Sequence, residues 1–397
     1  MPTYEKIRGS VAIASNSPHA PTGYGVQVQM LVERLVRHGL HTAVISNYGL
    51  ECKIDTIKTK HGTATHYPRG MTLYGEDVIP VWYQKHIEEK PNQPHFLMPI
   101  YDVWVYNKLR FDHPIYPWVP LDHVSLPPAV GEFLSRENVK PITMSPHGYR
   151  QLAKANIESV YIPHAVDTKI MTKTEKVEGV PTREFMGIKE DTFLVSMVQA
   201  NKANGILHRK ALSEQIMAFA MFHKKYPDSH LYLHMEPSPI MGGYSVELLL
   251  QAVGLGDGTV TIADSNQLRI GYPAETLAAL YTTTDVLLAA TYGEGFGVPV
   301  IEAQACGTKV ITSNWAATQD LVGEDSYLVD GQPFWDEPQK AFFHIPSIGS
   351  MVNALELAYK AERGFSPIAR KFALDFDVET VWDKYWFPFL KQVFDAQ

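Results

Sequence analysis

The stretch that most constrains the fold of this chain runs from Tyr292 to Gly307 and reads YGEGFGVPVIEAQACG. An apolar run just before it, residues 285–290, has the length and composition of a buried parallel strand. Residues 309–313 after it are typical of a further strand. Pro299 stands where a proline favours the first turn of a helix, and Gly307 stands where a glycine favours its end. The pattern therefore predicts a strand, a glycine-rich turn, a helix and a second strand.

The glycine-rich turn predicts a phosphate-binding site at the start of that helix. Backbone N–H groups at a helix N-terminus point outward and carry partial positive charge. The residues that would present them are Gly295, Phe296, Gly297 and Val298. Glu294 lies level with these amides, and Glu302 lies about one turn inside the helix, where it can accept hydrogen bonds from two adjacent hydroxyls. One acid near a sugar and one near a ribose suit a nucleotide-sugar site. The alternative is that Glu294 only caps the helix electrostatically and that Glu302 is exposed to solvent.

The same stretch resembles the E-x7-E signature of family 4 retaining glycosyltransferases, and the resemblance extends into both flanking strands. That family has the α/β fold called GT-B, in which two Rossmann-like doubly wound domains face each other across a cleft. The resemblance implies that Glu294 contacts the transferred sugar at the reacting face and that Glu302 binds the nucleotide ribose. It also implies that the backbone of residues 295–298 holds the sugar and the diphosphate.

The length of the chain, 397 residues, suits two domains better than one core. We expect residues 1–168 to form an N-terminal, acceptor-side domain. We expect residues 183–377 to form a nucleotide-sugar-binding domain, after a polar linker. The resemblance implies that the last helix, residues 378–397, crosses back and packs on the first domain. Asp377 suits the N-cap of that helix, so we interpret the pair Asp375 and Asp377 as helix-capping residues rather than as a metal site.

Composition argues against several classes of protein. A net charge of −8 disfavours a nucleic-acid partner. No apolar run approaches the length of a membrane span, and residues 1–10 lack the core of a signal peptide. Cys52 and Cys306 are far apart and form neither a disulfide framework nor a metal-ligand spacing. The sequence therefore favours a cytoplasmic protein without a transmembrane segment.

The N-terminal sequence predicts a βαβ unit with glycines at its first turn. A strand at residues 10–15 precedes Gly23 and Gly25, which open a helix, and residues 42–46 form the next strand. A dinucleotide fingerprint fails here, because Val28 occupies the third glycine position. The resemblance implies that this loop faces the cleft, close to the donor diphosphate and the acceptor. The alternative is that the two glycines serve only a tight turn.

Two polar residues end a predicted strand in the first half of the chain. Asp122 and His123 follow the apolar residues 118–121. Related enzymes often end a strand here with a polar residue that faces the cleft near the sugar. The resemblance therefore makes both residues catalytic candidates, and the choice between them stays open. A surface histidine is the alternative interpretation of His123.

Two cations open a helix in the second half of the chain. Arg209 and Lys210 follow the strand predicted at residues 193–198 and precede an amphipathic helix that extends to about Lys225. The alternative is that the two cations are solvated at a helix start that binds no ligand. Cations at a helix N-terminus oppose the helix dipole, however, so their presence there calls for a compensating interaction. The resemblance implies that Lys210 binds the donor diphosphate. The Gly-Arg pair that usually accompanies this lysine is missing, so Arg209 or Lys202 would supply the second charge.

The sequence thus predicts a retaining glycosyltransferase that transfers a sugar to an acceptor hydroxyl. The resemblance implies a nucleoside diphosphate sugar as co-substrate, with a UDP- or GDP-sugar expected, and neither a metal nor another cofactor. A glycan, a small molecule or a protein would be the acceptor. Three alternatives remain: a nucleotide-sugar hydrolase, a phosphorylase on the same fold, and a non-catalytic subunit that binds sugar nucleotides.

Overall fold

The computed structural model describes residues 4–203, 207–256 and 258–395. The chain divides into two compact units. Unit 1 comprises the chain up to Leu121, Ser125–Ala165 and the segment from Val378 onward. Unit 2 comprises Asp122–Val124 and Val166–Asp377. Asp122 and His123, which we expected in the first domain, thus belong to the second unit. Part of the loop between Gln199 and His208, residues 204–206, lies outside the described residues.

Unit 1 is an α/β unit around a mainly parallel sheet. In its described residues the strands are β1 Ser10–Asn16, β2 His41–Tyr48, β3 Asp55–Thr59, β4 Gly62–Tyr67, β5 His95–Pro99, β6 Trp118–Val119, β7 Ile142–Thr143 and β8 Val160–Tyr161. The helices are α1 Gly23–Arg37, α2 Ile79–Glu88, α3 Pro128–Leu134 and α4 Pro146–Lys154, with a 3₁₀ turn at Val103–Tyr106.

The larger sheet of unit 1 has the order β3-β4-β2-β1-β5, with only β3 antiparallel to its neighbour. The strands β6, β7 and β8 form a second, parallel sheet. The predicted strands at 10–15 and 42–46 are present as β1 and β2. The hairpin of β3 and β4 was not predicted.

Unit 2 is also an α/β unit. Its described strands are β9 Lys176–Val177, β10 Val180–Pro181, β11 Phe193–Val198, β12 Ser229–His234, β13 Val260–Ile262, β14 Val286–Ala289, β15 Lys309–Ser313, β16 Tyr327–Val329, β17 Gly331–Asp336 and β18 Ala341–Pro346. Its helices are α5 Thr182–Phe185, α6 Leu212–Lys225, α7 Val246–Ala252, α8 Ser265–Ile270, α9 Ala274–Thr283, α10 Val298–Ala305, α11 Ile348–Lys360 and α12 Pro367–Ala373. Its 3₁₀ turns are Pro239–Met241, Thr318–Asp320 and Leu374–Phe376.

The main sheet of unit 2 is parallel throughout and has the order β13-β12-β11-β14-β15-β16. Its central strands are fully buried, as expected when helices cover both faces of a parallel sheet. The strand order reverses between β11 and β14, which makes that pair the topological switch point of the sheet. The loops that follow these two strands therefore open at the same edge, where ligands bind in doubly wound folds.

Two features of unit 2 differ from the sequence prediction. The stretch expected to be a linker, residues 168–182, includes the short hairpin of β9 and β10 and leads directly into α5. The antiparallel hairpin of β17 and β18 was not predicted at all. Both are short elements whose pairing depends on packing more than on intrinsic preference.

The C-terminal segment is part of unit 1. It consists of α13 Val378–Val381, a π-helical turn at Trp382–Trp386, and α14 Phe387–Asp395. Pro388 explains the π-helical turn, because a proline in a helix cannot donate to the carbonyl one turn earlier and forces a local rearrangement. Trp382 donates to His38 at 3.1 Å, and Glu379 pairs with two arginines of α1. These contacts attach the segment to α1. In the part of the chain that the structure describes, no helix is long and apolar enough to cross a membrane.

Candidate active site at the switch point of unit 2

The two loops at the switch point carry most of the residues singled out from the sequence. Arg209 and Lys210 lie after β11, just before α6, and Glu294 lies after β14, just before α10. The loops are joined by a backbone hydrogen bond from the N–H of Tyr292 to the carbonyl of Arg209, at 2.9 Å. Ala211 caps α6 in the left-handed conformation, with φ 49°. The chain therefore turns sharply immediately after the two cations.

Glu294 is the centre of this cluster. Its carboxylate accepts from the Lys210 ammonium at 2.6 Å and from the Arg209 guanidinium at 3.2 Å. Burial alone would raise the pKa of Glu294, but the charges of Lys210 and Arg209 outweigh burial and lower it. Burial lowers the pKa of Lys210, and the charge of Glu294 only partly opposes that. The acid is therefore held ionised, and it neutralises two cations at a helix start, where they would otherwise be unfavourable.

Arg209 also connects this cluster to the segment Asp122–Val124. Its guanidinium donates to the carbonyl of Gly293 and lies 3.7 Å from the carboxylate of Asp122. The backbone of the two segments is in close contact as well, because a Cβ at Gly293 would lie 2.2 Å from the carbonyl oxygen of Asp122. Glycine is therefore required at position 293 for this approach.

His123 lies deeper in the same unit, with only 6% of its surface exposed. Its two ring nitrogens face carboxylates: Nδ1 lies 2.8 Å from Asp122 and Nε2 lies 3.1 Å from Asp336. The ring stacks on Phe343, with 3.8 Å between the ring centroids. Burial lowers the pKa of His123, but the two carboxylates outweigh burial and raise it. Of the two candidates at this strand end, Asp122 is the one whose side chain reaches the cations.

The glycine-rich turn is built as a helix start. α10 begins at Val298 after Gly297, whose φ of 112° is a conformation that favours glycine. The ring of Phe296 is buried and packs edge-on against Phe376, with 5.8 Å between the ring centroids. At the other end of α10, Arg370 donates to the carbonyl of Ala305. Both ends of the helix are thus fixed. In its first turn Pro299 has no N–H group, and the N–H of Val300 donates to the carbonyl of Gly297 at 3.0 Å. The amides expected to face a phosphate are therefore those of the turn, residues 295–298.

Glu302 lies in α10, beyond that first turn. Its carboxylate accepts a hydrogen bond from the hydroxyl of the buried Tyr281 at 3.0 Å. Burial raises the pKa of Glu302 to about 7, although the hydrogen bond from Tyr281 works in the opposite direction. Near neutral pH this carboxyl group is therefore divided between its ionised and neutral forms.

Gly23 and Gly25 lie at the start of α1 in unit 1, and they have different surroundings. A Cβ at Gly25 would lie 2.3 Å from the carbonyl oxygen of Ala20, so this position needs glycine for packing. At Gly23 no described heavy atom lies within 4 Å of such a Cβ. Thr22 caps the helix by accepting from the N–H of Gly25 at 3.1 Å. Packing within unit 1 thus explains Gly25 but not Gly23.

Sequence reasoning did not single out two residues that shape the site. Asn201 is buried and ties the loop after β11 to the loop after β12: it accepts from the N–H of Tyr244 at 2.9 Å and donates to the Tyr244 carbonyl at 2.8 Å. Lys202 beside it is exposed, so Arg209 is the second cation in the cluster. Asp336 was missed because β17 was missed. The sequence signal that could have revealed the hairpin of β17 and β18 is the pair of aromatic-containing runs on either side of residues 337–340.

Comparison of whole structures defines the class of this fold. Sucrose-phosphate synthase from Thermosynechococcus elongatus has a TM-score of 0.74 at 18% sequence identity, over 98% of this chain and 100% of that one. Anabaena HepE, solved in complex with UDP and glucose, has a TM-score of 0.65 at 12% identity, over 96% and 99% of the two chains. The chain therefore has the GT-B fold, and the predicted fold class is confirmed.

Comparison of sequences shows a local resemblance to glycosyltransferases. Residues 239–338 match the family model described as Glycosyl transferases group 1. D-inositol 3-phosphate glycosyltransferase from Paenarthrobacter aurescens is 27% identical over 173 residues, or 43% of this chain and 38% of that protein. These matches show that parts of the sequence resemble glycosyltransferases. Its matches span about a third of the length of the first curated relatives, 38% and 32%.

Proposed function

We propose that this protein transfers a sugar from a nucleoside diphosphate sugar to an acceptor hydroxyl with retention of anomeric configuration and without a metal ion. The observation that carries the proposal is the cluster of Lys210, Arg209 and Glu294 beside the N-terminus of α10. Two cations and a helix start form a site for a diphosphate, and the acid among them is suited to sugar hydroxyls. The similarity of residues 239–338 to the family model described as Glycosyl transferases group 1 supports the same reaction.

In this proposal unit 2 binds the donor. Lys210, Arg209 and the backbone N–H groups of residues 295–298 bind the diphosphate and stabilise the negative charge that develops on it as the glycosidic bond breaks. Glu302 accepts hydrogen bonds from the two ribose hydroxyls. HepE was solved with UDP and glucose, and it shares this fold, which favours a UDP-sugar as the first donor to test.

Glu294 has two successive partners in this mechanism. Without donor it neutralises Lys210 and Arg209. When the diphosphate arrives, the phosphate oxygens replace Glu294 on the cations, and the carboxylate becomes available to hydroxyl groups of the sugar. There it also stabilises the positive charge that develops at the anomeric carbon in the transition state.

Retention follows if the acceptor attacks on the face from which the diphosphate leaves. The bond from the anomeric carbon to the diphosphate oxygen breaks, and the bond to the acceptor oxygen forms. The acceptor proton passes to the departing diphosphate oxygen, so that the products are the glycoside and the nucleoside diphosphate. We assign acceptor binding to unit 1, with a glycan, a small molecule or a protein as the acceptor. A cytoplasmic setting suits the two free cysteines, Cys52 and Cys306.

Thermal shift measures donor binding directly, because a ligand that binds only the folded state raises its melting temperature. The panel consists of UDP-, GDP-, ADP- and dTDP-sugars, each with Mg²⁺ or with EDTA, on the wild type and on Glu302→Ala. We expect a shift with one nucleotide that is independent of metal and smaller in the variant. The absence of any shift would contradict the proposal.

Turnover separates the proposed reaction from its alternatives. The donor that gives a shift is incubated with an acceptor panel, and release of nucleoside diphosphate is measured while NMR follows the anomeric proton. Acceptor-dependent release with retained configuration is the expected result. Equal release without acceptor or phosphate would identify a hydrolase, and binding without release would identify a binding subunit. Formation of a sugar 1-phosphate that depends on added inorganic phosphate would identify a phosphorylase.

A further inference from the structure

The imidazole of His123 lies between two carboxylates, and that arrangement fixes its protonation state. Nδ1 lies 2.8 Å from Asp122, and Nε2 lies 3.1 Å from Asp336. An ionised carboxylate only accepts hydrogen bonds, and a neutral imidazole has one N–H group. With both carboxylates ionised, the two contacts form together only when the ring carries a proton on each nitrogen. His123 is therefore an imidazolium whose two donors are both used inside the protein.

This imidazolium is one member of a row of alternating charges. The row runs Asp336, His123, Asp122, Arg209, Glu294, Lys210, and its contacts measure 3.1, 2.8, 3.7, 3.2 and 2.6 Å in that order. Three acids and three cations give no net charge. Such a row satisfies every charge in a site of low dielectric, where an unpaired charge would be costly.

The hairpin of β17 and β18 brings Asp336 to the row. Asp336 is the last residue of β17, and β18 pairs with the segment that carries Asp122 and His123. Val124 and Phe342 exchange two backbone hydrogen bonds, of 2.9 and 3.0 Å, and the N–H of His344 donates to the Tyr292 carbonyl at 3.0 Å. The hairpin thus connects the segment 122–124 to the loop that carries Glu294.

We propose that Asp336 is a positioning residue for glycosyl transfer: through His123 it holds the carboxylate of Asp122 against Arg209. His123 then acts through Asp122 and does not touch the sugar. When Glu294 turns from the cations to the sugar, Asp122 is the carboxylate that still orients the Arg209 guanidinium towards the diphosphate. This inference rests on the proposed function.

Three variants of the hairpin test the role of Asp336. Asp336→Ala removes the acceptor for Nε2, whereas Asp336→Asn retains an oxygen acceptor of the same reach. Glu337→Ala is the matched control, because Glu337 is the next residue, is exposed and accepts hydrogen bonds from Trp335 and Lys340. The turnover number at saturating donor, the dissociation constant of UDP and the melting temperature are measured for each.

We expect Asp336→Ala to lower the turnover number at least about tenfold while UDP affinity changes less than about threefold, because Lys210 and the start of α10 still bind the diphosphate. Asp336→Asn should recover most of the turnover, and Glu337→Ala should match the wild type. Wild-type turnover in Asp336→Ala would overturn the proposal. The proposal would also be overturned if Asp336→Ala and Asp336→Asn lost turnover equally and in proportion to a fall in melting temperature. That result would indicate a purely structural role for Asp336.

A second measurement does not depend on activity. Nitrogen-15 NMR of histidine-labelled protein distinguishes an imidazolium from a neutral ring, and the His123→Gln variant identifies the signals of His123. At neutral pH we expect two protonated ring nitrogens in the wild type and altered shifts in Asp336→Ala. A neutral ring in the wild type would overturn the row of charges. If no nucleotide sugar is turned over but the ring is an imidazolium, the proposed function fails while the geometry of the row stands.

Discussion

The two parallel sheets of this protein present very different side chains at their carboxyl edges. In unit 2 the loops after β11 and β14 bring Lys210 and Arg209 against Glu294. In unit 1 the corresponding edge joins uncharged groups: the Tyr101 hydroxyl, beyond β5, contacts Asn16 at the end of β1 at 2.5 Å and also contacts Asn47 of β2. The same architecture thus joins the loops of its central strands through full charges in unit 2 and through neutral hydrogen-bonding groups in unit 1, where the ion pair of Arg69 with Glu51 lies in the loops after β4 and β2.

This difference separates the two halves of the proposed reaction. A diphosphate requires cations and helix-terminal N–H groups, and unit 2 supplies both. A hydroxyl-rich acceptor requires neutral donors and acceptors, and the edge of unit 1 supplies those. If the comparison is correct, changes in charge at the edge of unit 2 should affect nucleotide binding and turnover strongly. Changes at the edge of unit 1 should act through shape.

The largest expected effect is the loss of Lys210. In the proposed mechanism Lys210 stabilises the departing diphosphate, so we expect Lys210→Ala to lower turnover by about 10²–10³-fold, the usual cost of one transition-state contact. Lys202→Ala is the matched control, because it removes an exposed lysine from the same loop. Steady-state kinetics with the donor identified by thermal shift measures both. Similar losses in both variants would mean that general charge, rather than this site, binds the donor.

The next effect concerns shape in unit 1. Gly25→Ala would place a Cβ 2.3 Å from the carbonyl oxygen of Ala20, so we expect a loss of roughly 2 kcal/mol or more in the free energy of unfolding. Gly23→Ala meets no described atom within 4 Å and should change that free energy by less than about 0.5 kcal/mol. Denaturant titration measures both variants.

Kinetics of the same pair then tests whether the loop contacts a substrate. We expect Gly23→Ala to retain stability but to raise the KM for donor or acceptor several-fold, because in the proposed site a substrate occupies the space beside Gly23. Wild-type kinetics in Gly23→Ala would remove this loop from the site and would weaken the comparison of the two edges.

Glu294→Gln should move binding and turnover in opposite directions. A neutral amide no longer competes with the diphosphate for Lys210 and Arg209, so we expect UDP to bind about tenfold more tightly, equivalent to about 1.4 kcal/mol. Turnover should fall, because the carboxylate that stabilises the developing positive charge is gone. Calorimetry with UDP and steady-state kinetics check the two parts. Weaker binding of UDP would show that Glu294 supports the diphosphate instead of giving way to it.

Most of the elements that build the charged edge were predictable, because local patterns specify them. Residues 193–198 were predicted as a strand and form β11 over the same range. The proline and glycines around the signature stretch marked both ends of α10, which begins one residue before Pro299 because Gly297 takes the capping conformation. These features depend on short-range periodicity and on the conformational limits of two residue types.

The neighbours of those elements were not predictable from local patterns. Asp336 meets His123 across 213 positions of the chain, and nothing near either residue encodes that contact. The segment Asp122–Val124 joins unit 2 through backbone pairing with β18, although the strand before it belongs to unit 1. Choosing between Asp122 and His123 required this geometry, since the alternatives are equivalent in sequence. A buried row of charges is a tertiary feature, and single-sequence reasoning reaches only its separate members.

The smallest expected effect is a dependence of nucleotide affinity on pH that originates at Glu302. Burial raises the pKa of this carboxyl group to about 7, so it is mostly neutral at pH 6 and mostly ionised at pH 8. In the proposed site the ionised form accepts two ribose hydrogen bonds, and we therefore expect UDP to bind several-fold more tightly at pH 8, with about tenfold as the limit. UDP itself also titrates, so the same experiment on Glu302→Gln supplies the background to subtract.

The stability of the ligand-free protein should change in the opposite sense. A carboxyl group whose pKa is raised on folding contributes stability that is complete below its unfolded value, 4.5, and is lost as the pH rises through about 7. Relative to the wild type, Glu302→Gln should therefore gain stability above pH 7. Tyr281→Phe sharpens the test, because the hydrogen bond that it removes lowers the pKa of Glu302. The midpoint of the affinity change should then move to higher pH, and an unmoved midpoint would mean that a group other than Glu302 controls the titration.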